Sequence, residues 1–200
     1  PTPYALNGLR TVKTNKRELK VSVAFKDEAG KGGTPADKFV APQVFGGNRR
    51  LKRFEKALQR IGAMPSGSFA VPGAGAVIDS YGNMARSQIT QILSALQAFG
   101  EQGYLANATA KTLSKRKKGT RSKRGEVYFA LPRGRNGLKP GVYKRTKFAF
   151  GWALKPVLIF VTSVGYSKRL PMLETVRKTF DKHFASQFEA AFVKAVATAR

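Results

Sequence analysis

The fold is decided by three segments in the C-terminal half of the chain: EVYFAL (residues 126–131), GVYKRTKFAF (residues 141–150) and LKPVLIFVT (residues 154–162). Each segment is rich in β-branched and aromatic residues, and turns that contain Pro or Gly separate them, which predicts three strands. Short connections favour an antiparallel meander. The stretch from Val157 to Val161 is the most continuously apolar, and we therefore predict that it lies in the central strand.

The densest charge of the protein lies directly before these strands, in KTLSKRKKGTRSKR (residues 111–124), which contains eight Lys and Arg residues and no acid. Such a block repels itself and stays solvated until a polyanion or an acidic partner orders it. We therefore expect residues 106–125 to protrude as a basic loop. The alternative is a solvated loop that has no dedicated partner. The predicted contact residues are Lys115, Arg116, Lys117, Lys118, Arg121, Lys123 and Arg124.

Two helices are predicted upstream of the basic stretch. Residues 84–99 repeat apolar side chains at helical spacing, and residues 49–61 do the same after Asn48, a residue type that favours the N-cap. Pro42 interrupts the apolar residues 38–45, so we expect an extended edge segment there. The helix at 49–61 carries a second basic face formed by Arg49, Arg50, Lys52 and Arg53.

The longest predicted helix spans residues 173–198, directly after Pro171. Its apolar residues recur almost strictly at every fourth position, so the stripe that they form drifts by about 40° per step and winds around the helix. We expect one end to pack within the subunit and the other against a neighbouring subunit, through Phe188, Phe192 and Val196. The alternative is an ordinary core helix with an oblique stripe.

Together these patterns predict an α+β fold with a small antiparallel sheet of about three to five strands, two or three packed helices, long loops and an extended N-terminal arm. Residues 1–37 form the basic arm, which includes a short strand at residues 20–25 and a flexible connection. Residues 38–200 form one α+β domain, from which the basic loop protrudes.

The charge balance points to an acidic partner. The chain has 37 Lys and Arg against 11 Asp and Glu, a formal net charge of +26, which favours polyanions or acidic protein surfaces. With no Cys, the sequence has no disulfide framework and no thiolate nucleophile, which suits a reducing cytoplasm. No apolar run is long enough to span a bilayer and residues 1–10 lack a signal-peptide core, so we expect no membrane role and no standard secretion.

Catalytic chemistry is not expected. The chain contains one histidine, His183, which we expect to be exposed, and its carboxylates are scattered rather than clustered as metal ligands require. The run GAGA (residues 73–76) lacks the spacing of a phosphate-binding loop. We therefore predict no enzyme activity, no catalytic residue, no metal ligand and no cofactor.

Several separated segments resemble a family of tailed-bacteriophage and prophage virion proteins: FVAPQVFGGNRRLKRFEKALQRIG (residues 39–62), MPSGSFAVPG (residues 64–73), SYGNMARSQITQILSALQAFGEQGY (residues 80–104), LKPGVYKR (residues 138–145) and LKPVLIFV (residues 154–161). The order of a helix, a basic stretch, a small sheet and a closing helix is similar to that of minor tail protein Z and the tail-completion proteins.

This resemblance implies a structural subunit of the virion at the head-to-tail connector (the neck or adaptor) or in the proximal tail, assembled in the bacterial host cytoplasm. It implies a homo-oligomeric ring of six or twelve copies. The expected partners are other virion proteins, such as portal or tail subunits, and packaged DNA. The alternative from a different class is an accessory protein that binds nucleic acid without sequence specificity.

Overall fold

The structure is a computed structural model that describes residues 7–13, 20–27 and 35–199. These residues form five α-helices and eight β-strands, all paired antiparallel, which confirms the predicted α+β class. They group into two compact units: residues 50–164, and the described residues before residue 50 together with residues 165–199. The predicted domain boundary after residue 37 does not coincide with the boundaries between these two units. The predicted division into an arm and one domain stays a prediction.

The unit of residues 50–164 is built around a four-stranded sheet. Its strands are β4 (Phe69–Pro72), β5 (Glu126–Leu131), β6 (Gly141–Phe148) and β7 (Gly151–Val161), in the order β4-β7-β6-β5. The predicted meander is confirmed as β5-β6-β7, and its last strand lies inside the sheet as predicted, because β4 covers its other edge. Strand β4 lies within residues 63–76, a segment that contains two prolines and three glycines.

Two helices cover the apolar half of one sheet face. They are α2 (Arg53–Arg60) and α3 (Arg86–Ala95), and their buried Leu58 and Ile92 join Val142 and Leu158 in one core cluster. Val142 and Leu158 are opposite each other on β6 and β7, so both side chains point to the same face. Complete burial of each such side chain contributes about 1.5–3 kcal/mol, which makes this layer the main stabilising contact of the unit.

Both upstream helices are shorter than predicted. Helix α2 begins at Arg53 and not at Arg49, because Lys52 is its N-cap residue and Asn48 lies in the short strand β3 (Gly47–Asn48). Helix α3 stops at Ala95, since Gln97 has a positive φ of 55°, which an α-helix does not allow.

The expectation that the basic stretch protrudes as a loop is wrong for residues 110–118, which form helix α4 (Ala110–Lys118). The Thr109 hydroxyl caps this helix by accepting a hydrogen bond from the Thr112 N–H at 3.2 Å. Lys and Arg are good helix formers, and cations in the last turn interact favourably with the helix dipole, so the charge does not prevent the helix. A 3-10 helix (Glu101–Ala106) precedes it, and a tight turn follows at residues 119–124.

The second unit contains two small pairs of strands. Strands β1 (Leu9–Lys13) and β2 (Val21–Phe25) form one antiparallel pair, which confirms the strand predicted at residues 20–25. Strand β3 pairs with β8 (Gly165–Tyr166). Other parts of the predicted arm and connection, at residues 1–6, 14–19 and 28–34, lie outside the described residues.

The prediction of an extended segment at residues 38–45 is wrong. These residues belong to helix α1 (Ala36–Phe45), which contains Pro42 in its interior. A proline there removes one N–H donor and leaves the carbonyl four residues earlier without its helical partner. The helix forms despite that loss, and Asp37 in its first turn interacts favourably with the helix dipole.

The long C-terminal helix α5 (Met172–Thr198) matches its predicted bounds to within one residue and follows Pro171 directly. None of its described residues is buried, so the interpretation as an ordinary core helix is wrong, and so is the expectation that one end packs within the subunit. The apolar stripe is exposed along the whole length of the helix.

Candidate polyanion-binding groove

A groove lies where helix α4 and the turn at residues 119–124 approach the sheet. Because side chains alternate along each strand, Tyr128 of β5, Lys144 and Thr146 of β6 and Lys155 of β7 share the sheet face that carries the core. Beyond the core this face becomes polar. The groove therefore has the sheet as its floor and the basic helix and turn as its wall.

The groove is strongly basic. It encloses about 770 Å³, and its lining contains six cationic side chains and one carboxylate, that of Glu126. Glu126 accepts a hydrogen bond from Lys144 Nζ at 3.1 Å, so this single acid is engaged with one of the six cations. The lining therefore retains a formal charge of +5. The six cations are Lys115, Arg116, Lys123, Arg124, Lys144 and Lys155.

An arginine and an aromatic ring meet at one end of the groove. The Arg124 guanidinium carbon lies 4.3 Å from the centre of the Phe148 ring, a distance that gives a cation–π contact. Phe148 is 41% exposed, and both residues line the groove. The contact holds the guanidinium in a defined position, where its N–H groups remain available to a ligand.

Tyr128 lies on the floor of the groove. Its hydroxyl donates a long hydrogen bond of 3.5 Å to Gln91 Oε1 of helix α3. Burial raises the pKa of Tyr128, and the nearby cations Lys144 and Arg116 offset only part of that effect. The phenol is therefore uncharged at neutral pH and offers a hydrogen-bonding group beside the cations.

The opposite sheet face carries a smaller, more apolar groove of about 580 Å³. Phe129 and Tyr143 stack there with ring centres 5.9 Å apart, and the Arg145 guanidinium carbon lies 4.5 Å from the Trp152 ring centre. Lys117 of helix α4 lines this groove. Cations of α4 therefore line grooves on both faces of the sheet.

The structure distributes the predicted basic residues among different surfaces. Lys115, Arg116, Lys123 and Arg124 line the basic groove, and Lys117 lies on the opposite face. Two further predicted residues are exposed and belong to neither lining among the described residues, namely Lys118 and Arg121.

Sequence reasoning did not identify Lys144 and Lys155 as part of this site. They pair across β6 and β7, and only this register brings them next to the basic helix. The period-two pattern of Lys144, Thr146 and Phe148 could have indicated that the three side chains share one face.

The predicted second basic face is not part of the groove. Its four residues lie just before and at the start of α2, and none of them belongs to the described groove lining. Arg49 lies in the other compact unit and is partly buried, whereas the side chains of Arg50, Lys52 and Arg53 are exposed. The four residues therefore belong to two different units.

The described residues contain no group of three or more His, Cys, Asp or Glu side chains arranged to hold a metal ion. His183 is exposed on α5, as predicted. Within residues 7–13, 20–27 and 35–199, no helix combines the length and apolar character that crossing a bilayer requires.

Three comparisons with known proteins give no match: no family model, no curated protein and no solved structure is similar to this chain.

Proposed function

We propose that the protein is a non-catalytic structural subunit of a tailed-phage virion that assembles with copies of itself through helix α5 and presents its basic groove to a polyanion. The resemblance of several sequence segments to virion proteins supports a station at the head-to-tail connector or in the proximal tail. The polyanion is packaged DNA or the acidic surface of a neighbouring virion protein.

The observation that carries this proposal is a ladder of four phenylalanine rings along α5, which we call the Phe ladder: Phe180, Phe184, Phe188 and Phe192. Successive ring centres lie 4.4, 5.6 and 6.1 Å apart, and neighbouring rings are within 25° of parallel. Each side chain is between 49% and 59% exposed. A monomeric soluble protein rarely leaves such a continuous apolar surface uncovered, so the ladder marks an interaction site.

The spacing of the ladder predicts how it would meet a helix on the next copy of the chain. Side chains at every fourth position form a ridge inclined by about 26° to the helix axis, and two helices that interdigitate such ridges cross at about −50°. The predicted interface residues Phe188, Phe192 and Val196 lie at the C-terminal end of the same exposed surface. In a closed ring the ladder of one copy would meet a different face of the next copy.

The groove supports the second part of the proposal. Lys and Arg side chains that contact phosphates displace condensed counterions, which gives affinity that is independent of sequence and sensitive to salt. Six cations on the floor and the wall of the groove supply such contacts to a strand of DNA or to an acidic protein segment.

The test combines assembly in solution with quantification in particles. We expect the purified protein to form oligomers in sedimentation velocity, and we expect Phe188→Ser with Phe192→Ser to dissociate them. The matched control, Lys178→Ser with Lys182→Ser, changes two exposed polar residues of the same helix and should leave assembly intact. In purified particles of the phage that encodes it, mass spectrometry should find six or twelve copies. A monomeric chain absent from the particles would refute the proposal.

The charge and aromatic content of the groove favour a second candidate, an accessory protein that binds nucleic acid without sequence specificity. This function predicts tight, salt-sensitive DNA binding by the isolated protein together with its absence from particles. The particle measurement therefore distinguishes the two candidates.

A further inference from the structure

The β6–β7 hairpin extends beyond the rest of the sheet. Strand β5 pairs with β6 only as far as Thr146, and β4 pairs with β7 only from Leu158 onward. The Lys147 N–H still donates a hydrogen bond to the Gly125 carbonyl at 2.8 Å. Past that point the hairpin strands pair only with each other, so the tip projects away from the core.

Three aromatic residues occupy this tip in the segment KFAFGW (residues 147–152). Phe148 and Trp152 each have one ring face occupied by an arginine, Arg124 and Arg145 respectively. Phe150 is fully exposed, at 105% of its reference area, so both of its ring faces are open to a ligand. When a planar group stacks on such a ring, apolar surface is removed from water and the free energy falls.

The backbone holds Phe150 in this position. Gly151 follows it with a φ of +144°, a conformation that residues with a Cβ rarely adopt, and there β7 begins. The side chain of Phe150 is therefore presented by a defined turn at the end of two paired strands.

Charge continues from the groove to this tip. Residues 141–156 contain four cations and no acid, and two of the cations, Lys144 and Lys155, line the groove. The other two are Arg145 and Lys147, so the tip is flanked by positive charge. A polyanion that leaves the groove past Arg124 and Phe148 therefore comes close to an open aromatic ring.

We propose that the groove and the hairpin tip together bind single-stranded nucleic acid, with phosphates on the groove cations and an unpaired base stacked on Phe150. The inference rests on the polyanion-binding part of the proposed function and does not depend on assembly through the Phe ladder. Single-strand binding proteins combine a basic track with aromatic rings in this way, and stacking tolerates any base because every base has a π face.

The size of the groove and the open ring of Phe150 suit a short stretch of single strand. A volume of about 770 Å³ is in the range of pockets that enclose small organic ligands, which is enough for a short stretch of single strand. The bases of a double helix are stacked on each other within the duplex, so only a single strand offers a free base face to Phe150.

A membrane surface is the other ligand class that an exposed Phe among cations could meet. Here the cations lie on the floor and the wall of a groove behind the tip, and Arg124 and Arg145 are stacked on rings. A planar bilayer would reach the tip and leave the groove cations largely unused. The arrangement therefore fits a flexible polyanion strand better.

The test measures binding of the full-length chain to a fluorescent oligothymidylate of about a dozen nucleotides by anisotropy. We expect Phe150→Ala to weaken binding by about five- to a hundredfold, which corresponds to the loss of one base–aromatic stack. Because Phe150 is exposed, its loss should leave the fold intact. The matched control is Phe45→Ala on α1, another exposed phenylalanine (67%), which should bind like the unchanged chain.

A second variant reports stacking directly. With Phe150→Trp, we expect binding to be retained. This variant adds the fluorescence of a second tryptophan to that of Trp152, and we expect the added fluorescence to be quenched when the oligonucleotide binds. With Phe150→Leu, which keeps the apolar character without an aromatic face, we expect the same weakening as with Phe150→Ala. If Phe150→Leu bound the oligonucleotide as tightly as the unchanged chain does, stacking would be refuted.

Three other outcomes would each overturn the inference in a different way. If Phe150→Ala bound normally while neutralised groove cations did not, the polyanion role would stand and the stacking role would fail. If the unchanged chain bound neither single-stranded nor duplex DNA, the DNA-binding part of the proposed function would fail as well. If Phe150 were instead required for binding to vesicles containing phosphatidylserine, the tip would be a membrane contact.

Discussion

Glu55 of helix α2 accepts a hydrogen bond from the backbone N–H of Ala70 in strand β4, with 2.8 Å between Oε1 and nitrogen. The other carboxylate oxygen, Oε2, accepts from the Lys52 N–H at 2.6 Å and so caps the helix. Glu55 is completely buried and Ala70 is 4% exposed. One side chain thus joins the start of a helix to the edge strand of the sheet.

Removal of this carboxylate should strongly destabilise the unit of residues 50–164. Glu55→Ala leaves two backbone N–H groups without their acceptor, at a cost of about 1–3 kcal/mol each, and we expect the free energy of unfolding to fall by roughly 3 kcal/mol. Glu55→Gln should cost less, because the amide retains one acceptor oxygen. Urea unfolding measures both, with the exposed Glu189→Gln as the control. A cost below about 0.5 kcal/mol for Glu55→Ala would contradict this role.

The wall of the groove depends on close backbone packing at Gly125. A Cβ at this position would clash with the carbonyl group of Lys117, the penultimate residue of α4. Gly125→Ala should therefore displace the end of α4 from β5, lower stability by about 1–3 kcal/mol and weaken polyanion binding. Gly165→Ala is the control, because nothing lies within 4 Å of its Cβ position. Unchanged stability and binding in Gly125→Ala would show that the wall does not require this contact.

The salt dependence of DNA binding distinguishes binding in the groove from binding to the whole positively charged surface. Substitution of Lys115, Arg116, Lys123 and Arg124 by Gln should reduce the slope of log K against log salt by about 0.7–0.9 for each phosphate that the protein no longer neutralises. The control variant removes the same charge from α5. If both variants changed the slope equally, binding would be a property of the whole surface. The control substitutions to Gln are at Arg177, Lys178, Lys182 and Lys194.

Tyr128 should affect the stability of the protein at alkaline pH. Burial raises its pKa above the value of about 10 that the unfolded chain has. As pH rises through 10 the unfolded chain loses this proton first, so the unfolded state is favoured and stability falls until the pH passes the folded pKa. Tyr128→Phe should remove this contribution, which appears as a smaller loss of stability between about pH 9 and pH 11. The exposed Tyr81→Phe is the control, and an equal effect of both variants would contradict a specific role of Tyr128.

Much of the secondary structure is predictable from local pattern. The three strands of the meander and the bounds of α5 follow from β-branched content, turn residues and helical spacing. Errors occur where local preference is weak or divided. Pro42 lies inside α1 although proline disfavours that position, and α4 forms in the most highly charged stretch of the chain because Thr109 caps it.

The candidate site was predictable only in part. The charge of residues 111–124 indicates a polyanion contact, but the sequence does not show which of its cations converge. Helical geometry sends Lys115 and Arg116 to the groove and Lys117 to the opposite face of the sheet. Lys155 joins Lys115 and Arg116 from a strand that comes 39 residues after Arg116 in the chain, through its register with Lys144.

The α+β class, the meander, the length of the last helix and the large positive charge follow from the amino-acid sequence, because each depends on composition or on contacts between near neighbours in the chain. Three features are visible only in the folded chain: Glu55 is buried against Ala70, the Phe ladder is exposed and Phe150 is exposed at the hairpin tip. These features depend on strand register and on which surfaces other elements cover. Contacts between residues far apart in the chain determine both, and no local pattern specifies such contacts.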